Sequence, residues 1–597
     1  MAATDVLEPV HDAVRARGRT RAICCLGAVL TLFGLLGGRL ARMQALDPAD
    51  GPLRAERSLE SESRVPVHRG TILDRCGREL AVSRPQFGCA IDPGLVANVG
   101  ETLDSLAGAL ALGPEERAQV LKTVADRRAA DRPCRFVWVR RALSPAEAEA
   151  VAALDVPGAM LVRGWRRTYP QGRTACHAIG FVSRDQRGLE GLELVWDNAL
   201  TGKPGVRRLD RDARRRALLL SDPTVRPAEQ GGNLTLTLDA YIQLVVEREL
   251  ARIAEKHTPE RATAVVLDPC TGAILALANW PAYDLNDARA VDPADRLNAS
   301  VAAIYEPGSV FKPFILAAAL EAGAVRLATP IGCEGGVWNL GYRVLHDTHG
   351  YGTLSAAKVV IKSSNIGIAK IGMRLGMRPL SVFLAGFGFG TETGLHLPGE
   401  LPGLLRPVEA WNPRFSMTSI PMGQEVGVTP VQLASAFGAL VNGGILVRPR
   451  LVESVRDAEG RVLRRVRPEP VRRVISATTS REVRAVLARV VTEGTGRRAR
   501  CPEYDFGGKT GTAQIAGPGG YQEGQYVATF CGFGPVEAPR LVVLVSVTRP
   551  KNGYYGGTVS APAVREILRE SLLYLHVPPK TDAHHTAWAD SARRERP

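Results

Sequence analysis

An uncharged, largely apolar run extends from Ala22 to Gly38, close to the minimum length for crossing a bilayer. Arg15, Arg17, Arg19 and Arg21 crowd its front edge, which assigns that side to the cytoplasm. Arg39 and Arg42 follow it without a small-residue cleavage site, so a retained single-pass anchor is expected over a cleaved signal. No second run of comparable length follows, which places the rest of the chain outside the membrane. Residues 41–230 are mixed, Arg-rich and full of turn signals. Within them, 101–154 carry Ala and Leu at helical spacing and read as helices.

From Asn233 the pattern changes. Leu234–Leu238 alternates like a strand, and Asp239 is placed to cap a helix over Ala240–Ile253. Ala264–Asp268 and Gly272–Leu277 read as a hairpin joined through Pro269–Thr271, and further strands are expected at Ala528–Phe533 and Leu541–Val547. Strands at both ends with apolar helices between them indicate an α+β domain whose sheet joins its own termini. The division expected is a cytoplasmic tail (1–21), an anchor (22–40), a pedestal or interaction domain (41–230), a main domain (231–577) and a polar tail (578–597). There is no internal repeat, and no appended C-terminal repeat domain is expected.

Composition adjusts this picture in four places. A chain of 597 residues with 45% hydrophobic and 23% charged residues is globular and too long for one core. Its net charge of +15 is scattered and rarely interleaved with aromatics, which argues against nucleic acid and suits an anionic membrane or wall. Of its 76 basic residues only ten are Lys, so a lysine at a suggestive position carries information, because Lys can shed a proton where Arg cannot. The ten Cys show no metal-ligand spacing. Buried thiols and disulfides both remain open for them.

The sharpest chemical signal is Glu306-Pro307-Gly308-Ser309-Val310-Phe311-Lys312-Pro313-Phe314. A Pro-Gly turn leads into an apolar helix, with Ser309 and Lys312 on one face of its opening turn. Pro313 is tolerated there because the first turn has spare N–H groups. A helix start favours a developing alkoxide, and a buried lysine with a depressed pKa serves as the base for a serine nucleophile. The S-x-x-K spacing alone is weak, since Ser355-Ala356-Ala357-Lys358 repeats it without the Pro-Gly turn. Two later segments supply partners for Ser309. Ser363-Ser364-Asn365 offers a hydroxyl and an amide. Lys509-Thr510-Gly511-Thr512 offers an amine, two hydroxyls and a glycine on a flanking strand. A phosphate-binding loop ending at Gly508-Lys509-Thr510 is excluded, because Glu503 stands where that loop needs glycine.

Taken in order, Ser309-x-x-Lys312, Ser363-x-Asn365 and Lys509-Thr510-Gly511 resemble the motif set of penicillin-binding proteins and serine β-lactamases. The wider chain resembles the class B, monofunctional transpeptidases. Arg69–Gly77 is similar to their R-G-x-I-x-D-R-N-G stretch, with Cys76 where Asn is usual, which puts the local geometry of that turn in question. Arg167–Glu193 is similar to their R-x-Y-P … H-x-I-G-F … G-x-E-G-x-E region, and Met422–Glu425, Gly427–Pro430 and Gly556–Pro562 match further blocks. The last block leans the resemblance toward the septal and sporulation subgroup.

The resemblance implies a peptidoglycan D,D-transpeptidase. Ser309, deprotonated by Lys312, attacks the penultimate D-Ala carbonyl of a stem peptide; Ser363 and Asn365 assist, and terminal D-Ala leaves. Lys509, Thr510 and Gly511 receive the terminal carboxylate, and the N–H groups of Ser309 and Thr512 form the oxyanion hole. It implies no cofactor or metal, β-lactams as acylating ligands, and a separate glycan polymerase with other membrane division proteins as partners. The alternatives are a β-lactamase or D,D-carboxypeptidase, and a catalytically silent scaffold or β-lactam sensor.

Overall fold

The computed structural model describes residues 8–42, 60–65, 67–130, 134–211, 217–218, 224–517 and 519–580. Residues Met1–Pro66 with Lys203–Glu229 form one unit, and Val67–Gly202 with Gln230–Pro597 form the other.

In the first unit, a helix spans Glu8–Ala41. Its segment Arg21–Ala41, of mean hydropathy 1.9, is long and apolar enough to cross a membrane, and among the described residues it is the one helix that is. The strand Glu60–Val65 pairs antiparallel with Gly205–Arg211, which also pairs with Ala217–Leu218 and Thr224–Arg226. The remaining residues of the proposed cytoplasmic and C-terminal tails, 1–7 and 581–597, lie outside the described residues.

The second unit is organised around a five-stranded antiparallel sheet. Its strands are β1 (Arg261–Leu267), β2 (Ile274–Trp280), β3 (Gly507–Gly517), β4 (Gly520–Gly534) and β5 (Leu541–Thr548), in the order β2-β1-β5-β4-β3. The hairpin expected at 264–277 is β1–β2, and β1 pairs with β5 along its whole length, so the sheet joins the domain's two ends as strands at both ends implied, whereas the alternating segment at 234–238 supplies a strand to another sheet. Helices cover both faces. Val543 and Val545 pack with Ile242, Val246 and Ile567 from helices α1 (Ala240–His257) and Ala561–Tyr574. Val542 and Leu544 pack on the opposite side with Phe314 and Leu316 from helix α2 (Lys312–Glu321). A strand buried on both faces has no polar phase, which is why β5 reads as a near-continuous apolar run. The Asp239 side chain accepts a hydrogen bond from the Tyr241 N–H and starts α1 where the sequence placed its cap.

Residues 67–202 carry the long strand Glu79–Ile91, paired with Ala159–Thr168 and Val137–Leu143. Through Ile72–Leu73 and Asn233–Leu236 this sheet continues to Val452–Arg456 and Val462–Arg465. The expectation of helices throughout 101–154 is corrected here. Helices occupy Val99–Leu110, Pro114–Ala129 and Pro145–Leu154, but Val137–Leu143 is a strand, burying Val137, Val139 and Leu143 on one face.

The two N-terminal stretches singled out in the sequence meet in one buried charge cluster. Arg69 Nε donates to Glu193 Oε2 at 2.6 Å and Arg167 Nε to Glu193 Oε1 at 2.7 Å, while Asp197 takes a second bond from Arg69 at 2.5 Å. Arg69, Arg167 and Glu193 are all buried. Such a cluster holds only while each charge keeps its partner. The turn at Cys76 forms despite the unusual residue. Asp74 Oδ1 accepts the N–H groups of Cys76 and Arg78, both at 2.8 Å, and Gly77 takes the positive φ of 83°. Main-chain donors hold the turn.

Candidate active site

Ser309 lies in a single 3₁₀ turn, Gly308–Phe311, that runs directly into α2 at Lys312. Gly308 adopts φ +53°, and its N–H donates to Gly423 O at 3.1 Å, so the block at 422–425 supports the nucleophile turn from beneath. Pro313 occupies the first turn of α2, as expected. The Ser309 side chain is half-buried, whereas Lys312 is fully buried.

That amine gathers the second motif. Lys312 Nζ donates to Asn365 Oδ1 at 2.7 Å, to Ser363 O at 2.6 Å and to Ser363 Oγ at 3.2 Å. Ser363 ends helix Ala356–Lys362 at φ +62°, a conformation costly for a residue with a Cβ. The bonds to Lys312 hold it there. Asn365 opens helix α3 (Asn365–Leu375), and its Nδ2 donates to His346 O at 2.9 Å.

The third motif comes from β3, the edge strand. Lys509 Nζ donates to Ser363 Oγ at 3.0 Å and to Thr510 O at 3.0 Å, so the Ser363 hydroxyl sits between two buried amines. The hydroxyls of Thr495 and Thr510 lie 2.7 Å apart, and Thr512 Oγ1 accepts from the Gly556 N–H at 3.2 Å. Gly511 is required by space. A Cβ there would stand 2.6 Å from Val310 Cγ2 and 2.8 Å from Pro307 O, so any side chain would push β3 off the nucleophile turn.

Burial sets the electrostatics. Lys312, denied water, is pushed down to about 7, with the Asp347 carboxylate holding part of its proton affinity. Lys509 is driven well below the usual amine range by burial and by the neighbouring Lys312. At neutral pH Lys312 is therefore poised to take a proton, and an anion arriving beside Lys509 would restore that amine's charge.

Sequence reasoning singled out eight residues. The structure joins Lys312, Ser363, Asn365, Lys509 and Thr510 by hydrogen bonds and brings Gly511 and Thr512 against the turn that carries Ser309, while among the described residues Ser309 Oγ itself makes no hydrogen bond. Sequence reasoning missed Asp347. That carboxylate accepts from Ser364 Oγ, from Asn365 N, and from Ile366 N at 3.0 Å, capping α3 and fixing the S-x-N turn from a distant loop. The second S-x-x-K copy serves the backbone instead. Ser355 Oγ accepts the Lys358 N–H at 3.3 Å as a helix N-cap.

With this geometry in hand, comparison with known proteins is direct. The family model described as penicillin binding protein transpeptidase domain matches residues 262–569, and the one described as penicillin-binding protein dimerisation domain matches 64–236. The chain belongs to the class B penicillin-binding proteins. Within that class it is 36% identical to stage V sporulation protein D of Bacillus subtilis over 86% of this chain and 79% of the relative. It is 32% identical to the peptidoglycan D,D-transpeptidase FtsI of Escherichia coli, covering 94% and 92% of the two chains. Among solved structures it resembles penicillin-binding protein 3 of Mycobacterium tuberculosis complexed with aztreonam. That likeness has a TM-score of 0.67 at 26% identity, over 87% of this chain and 98% of that one.

Proposed function

We propose that this chain is a membrane-anchored peptidoglycan D,D-transpeptidase acting outside the cytoplasmic membrane, with septal or sporulation-type wall synthesis as its duty. The single observation that carries the chemistry is the convergence of Lys312, Ser363, Asn365 and Lys509 through bonds of 2.6–3.2 Å beside Ser309. Orientation is supported by the four arginines between 15 and 21 that precede the apolar helix. The names of the sporulation and division relatives support the duty.

In this reading neutral Lys312 takes the Ser309 proton as Oγ attacks the penultimate D-Ala carbonyl. A C–O bond forms, the D-Ala–D-Ala amide bond breaks, and the leaving amine receives its proton through Ser363, which both amines contact. The main chain at Gly308 approaches Thr512 closely, since a Cβ at 308 would lie 3.2 Å from Thr512 O. The N–H groups of Ser309 and Thr512 then stabilise the oxyanion together. Lys509, with the Thr510 and Thr512 hydroxyls, receives the terminal carboxylate, and the free edge of β3 gives an extended peptide a strand to pair with. An acceptor amine from a second stem then attacks the ester, forming the cross-link and returning a proton to Ser309. β-Lactams enter the same path as acylating mimics, and a separate glycan polymerase supplies the strands.

The test uses full-length protein in detergent with a stem pentapeptide donor and an amine-bearing acceptor stem. Cross-linked dimer and one D-Ala per cross-link, both blocked by a β-lactam, are expected. Free tetrapeptide without dimer, or steady turnover of the β-lactam, would assign the protein to the hydrolases instead.

A further inference from the structure

The hairpin β3–β4 outruns the sheet that supports it. β4 pairs with β5 only from Val527 onward, whereas β3 and β4 pair with each other as far as Gly517 and Gly520. Residues 514–517 and 520–526 are therefore a two-stranded ribbon, a construction with little stability of its own. β3 carries Lys509–Thr512 nearer its start, so any swing of the ribbon is transmitted along that strand to the Lys509–Thr512 wall of the site.

At its base the ribbon is held by Tyr526, whose ring stacks on Tyr554 at 4.6 Å and whose carbonyl accepts the Arg549 N–H at 2.9 Å. Further out, among the described residues, two side-chain hydrogen bonds tie it to the rest of the domain. Gln522 Oε1 accepts from Arg549 at 3.2 Å, on the side of β5. Tyr521 reaches the other way, its hydroxyl donating to Glu306 Oε2 at 2.8 Å. Glu306 stands three residues before Ser309, and its other oxygen, Oε1, accepts the Glu425 N–H at 2.8 Å. Glu425 holds an uncommon φ of +60°, and its carboxylate is taken up by Arg406 and by Ser416 Oγ. The same segment gives Gly423 O to the Gly308 N–H. One carboxylate thus joins three pieces: the ribbon, the nucleophile turn and the loop beneath that turn. The Tyr521 phenol is pushed up by burial and by Glu306, so it keeps its proton and donates.

We infer that Glu306 and Tyr521 are positioning residues, pinning the β3–β4 ribbon to the Ser309 turn and thereby setting the spacing between the nucleophile and the Lys509–Thr512 wall. The inference rests on the transpeptidase reading above. Neither residue touches the reacting atoms. Their effect falls on how a donor or β-lactam is seated and leaves the acylation step itself intact.

The test measures two quantities on full-length protein: hydrogen exchange across 514–526, and the kinetics of acylation by a fluorescent penicillin, resolved into the binding constant and the first-order acylation rate. Tyr521→Phe is expected to raise ribbon exchange severalfold and to weaken binding about three- to tenfold, the range one solvent-exposed hydrogen bond supports, with the first-order rate within twofold. Glu306→Ala also releases the Glu425 N–H, so it should be at least as severe, and the double variant should be no worse than Glu306→Ala, because Tyr521 then has no bond to Glu306 left to lose. Glu306→Gln should stay within twofold of native, since its amide oxygen still accepts from Glu425 and its NH₂ can bond Tyr521. Ribbon exchange unchanged in Tyr521→Phe, or loosened with binding intact, overturns the inference. A native protein that takes no adduct on Ser309 overturns the functional reading instead, and the exchange comparison still decides the pin.

Discussion

The rate of acylation should follow the proton on Lys312. Buried and pushed down to about 7, this amine is the base only in its neutral form. For one group titrating near 7, roughly a tenth is neutral at pH 6 and roughly nine-tenths at pH 8. The second-order rate of acylation by a β-lactam should therefore rise about tenfold per unit below pH 7 and flatten above it. The assay is stopped-flow or gel-based labelling from pH 5.5 to 9, with stability checked at each pH. Asp347→Asn adds a second arm. The Asp347 charge favours the ammonium form, and removing it moves the acid limb to lower pH. The asparagine keeps an oxygen for the N–H groups of Asn365 and Ile366, so the turn's shape is retained. A rate that climbs tenfold per unit through pH 9, as for an ordinary lysine, refutes the reasoning. So does an acid limb that stays put or moves upward in Asp347→Asn.

Further outcomes follow from the packing. Gly511→Ala forces a methyl group against Val310 and Pro307 and should cut acylation at least tenfold while the melting temperature moves little, read by penicillin labelling and calorimetry. Glu193→Gln leaves Arg69 and Arg167 buried with half their compensation and should destabilise the fold by about 3–5 kcal/mol, measured by denaturant unfolding. Ser355→Ala removes a helix cap and should cost about 1 kcal/mol by the same method, with labelling kept at the native level.

The legible parts of this protein are those where function and local structure share a few adjacent residues. Ser309 and Lys312 lie on one turn, Ser363 and Asn365 on one helix junction, and Lys509–Thr512 on one strand, so each is a compact local pattern, weak alone, and their order along the chain makes the set legible. The hairpin pattern of β1 and β2 and the apolar run in β5 carried the α+β architecture for the same reason. Asp347 was silent because it caps a helix that begins 18 positions later, and nothing near it in the chain signals that role. Glu306 and Tyr521 stand 215 positions apart, and only the folded hairpin joins them. Val137–Leu143 was lost among Ala- and Leu-rich neighbours, where three buried alternate residues make a short signal. Conversely, the Arg69 and Arg167–Glu193 stretches looked deliberate without showing why. The buried charge cluster is the reason.

The most direct measurement is mass mapping of the covalent adduct after full-length protein meets a penicillin. One adduct per chain, on the peptide holding Ser309 and lost in Ser309→Ala, is the result predicted. An adduct on Ser355, or none at any serine, would contradict the assignment of this cleft as a serine acyltransferase site.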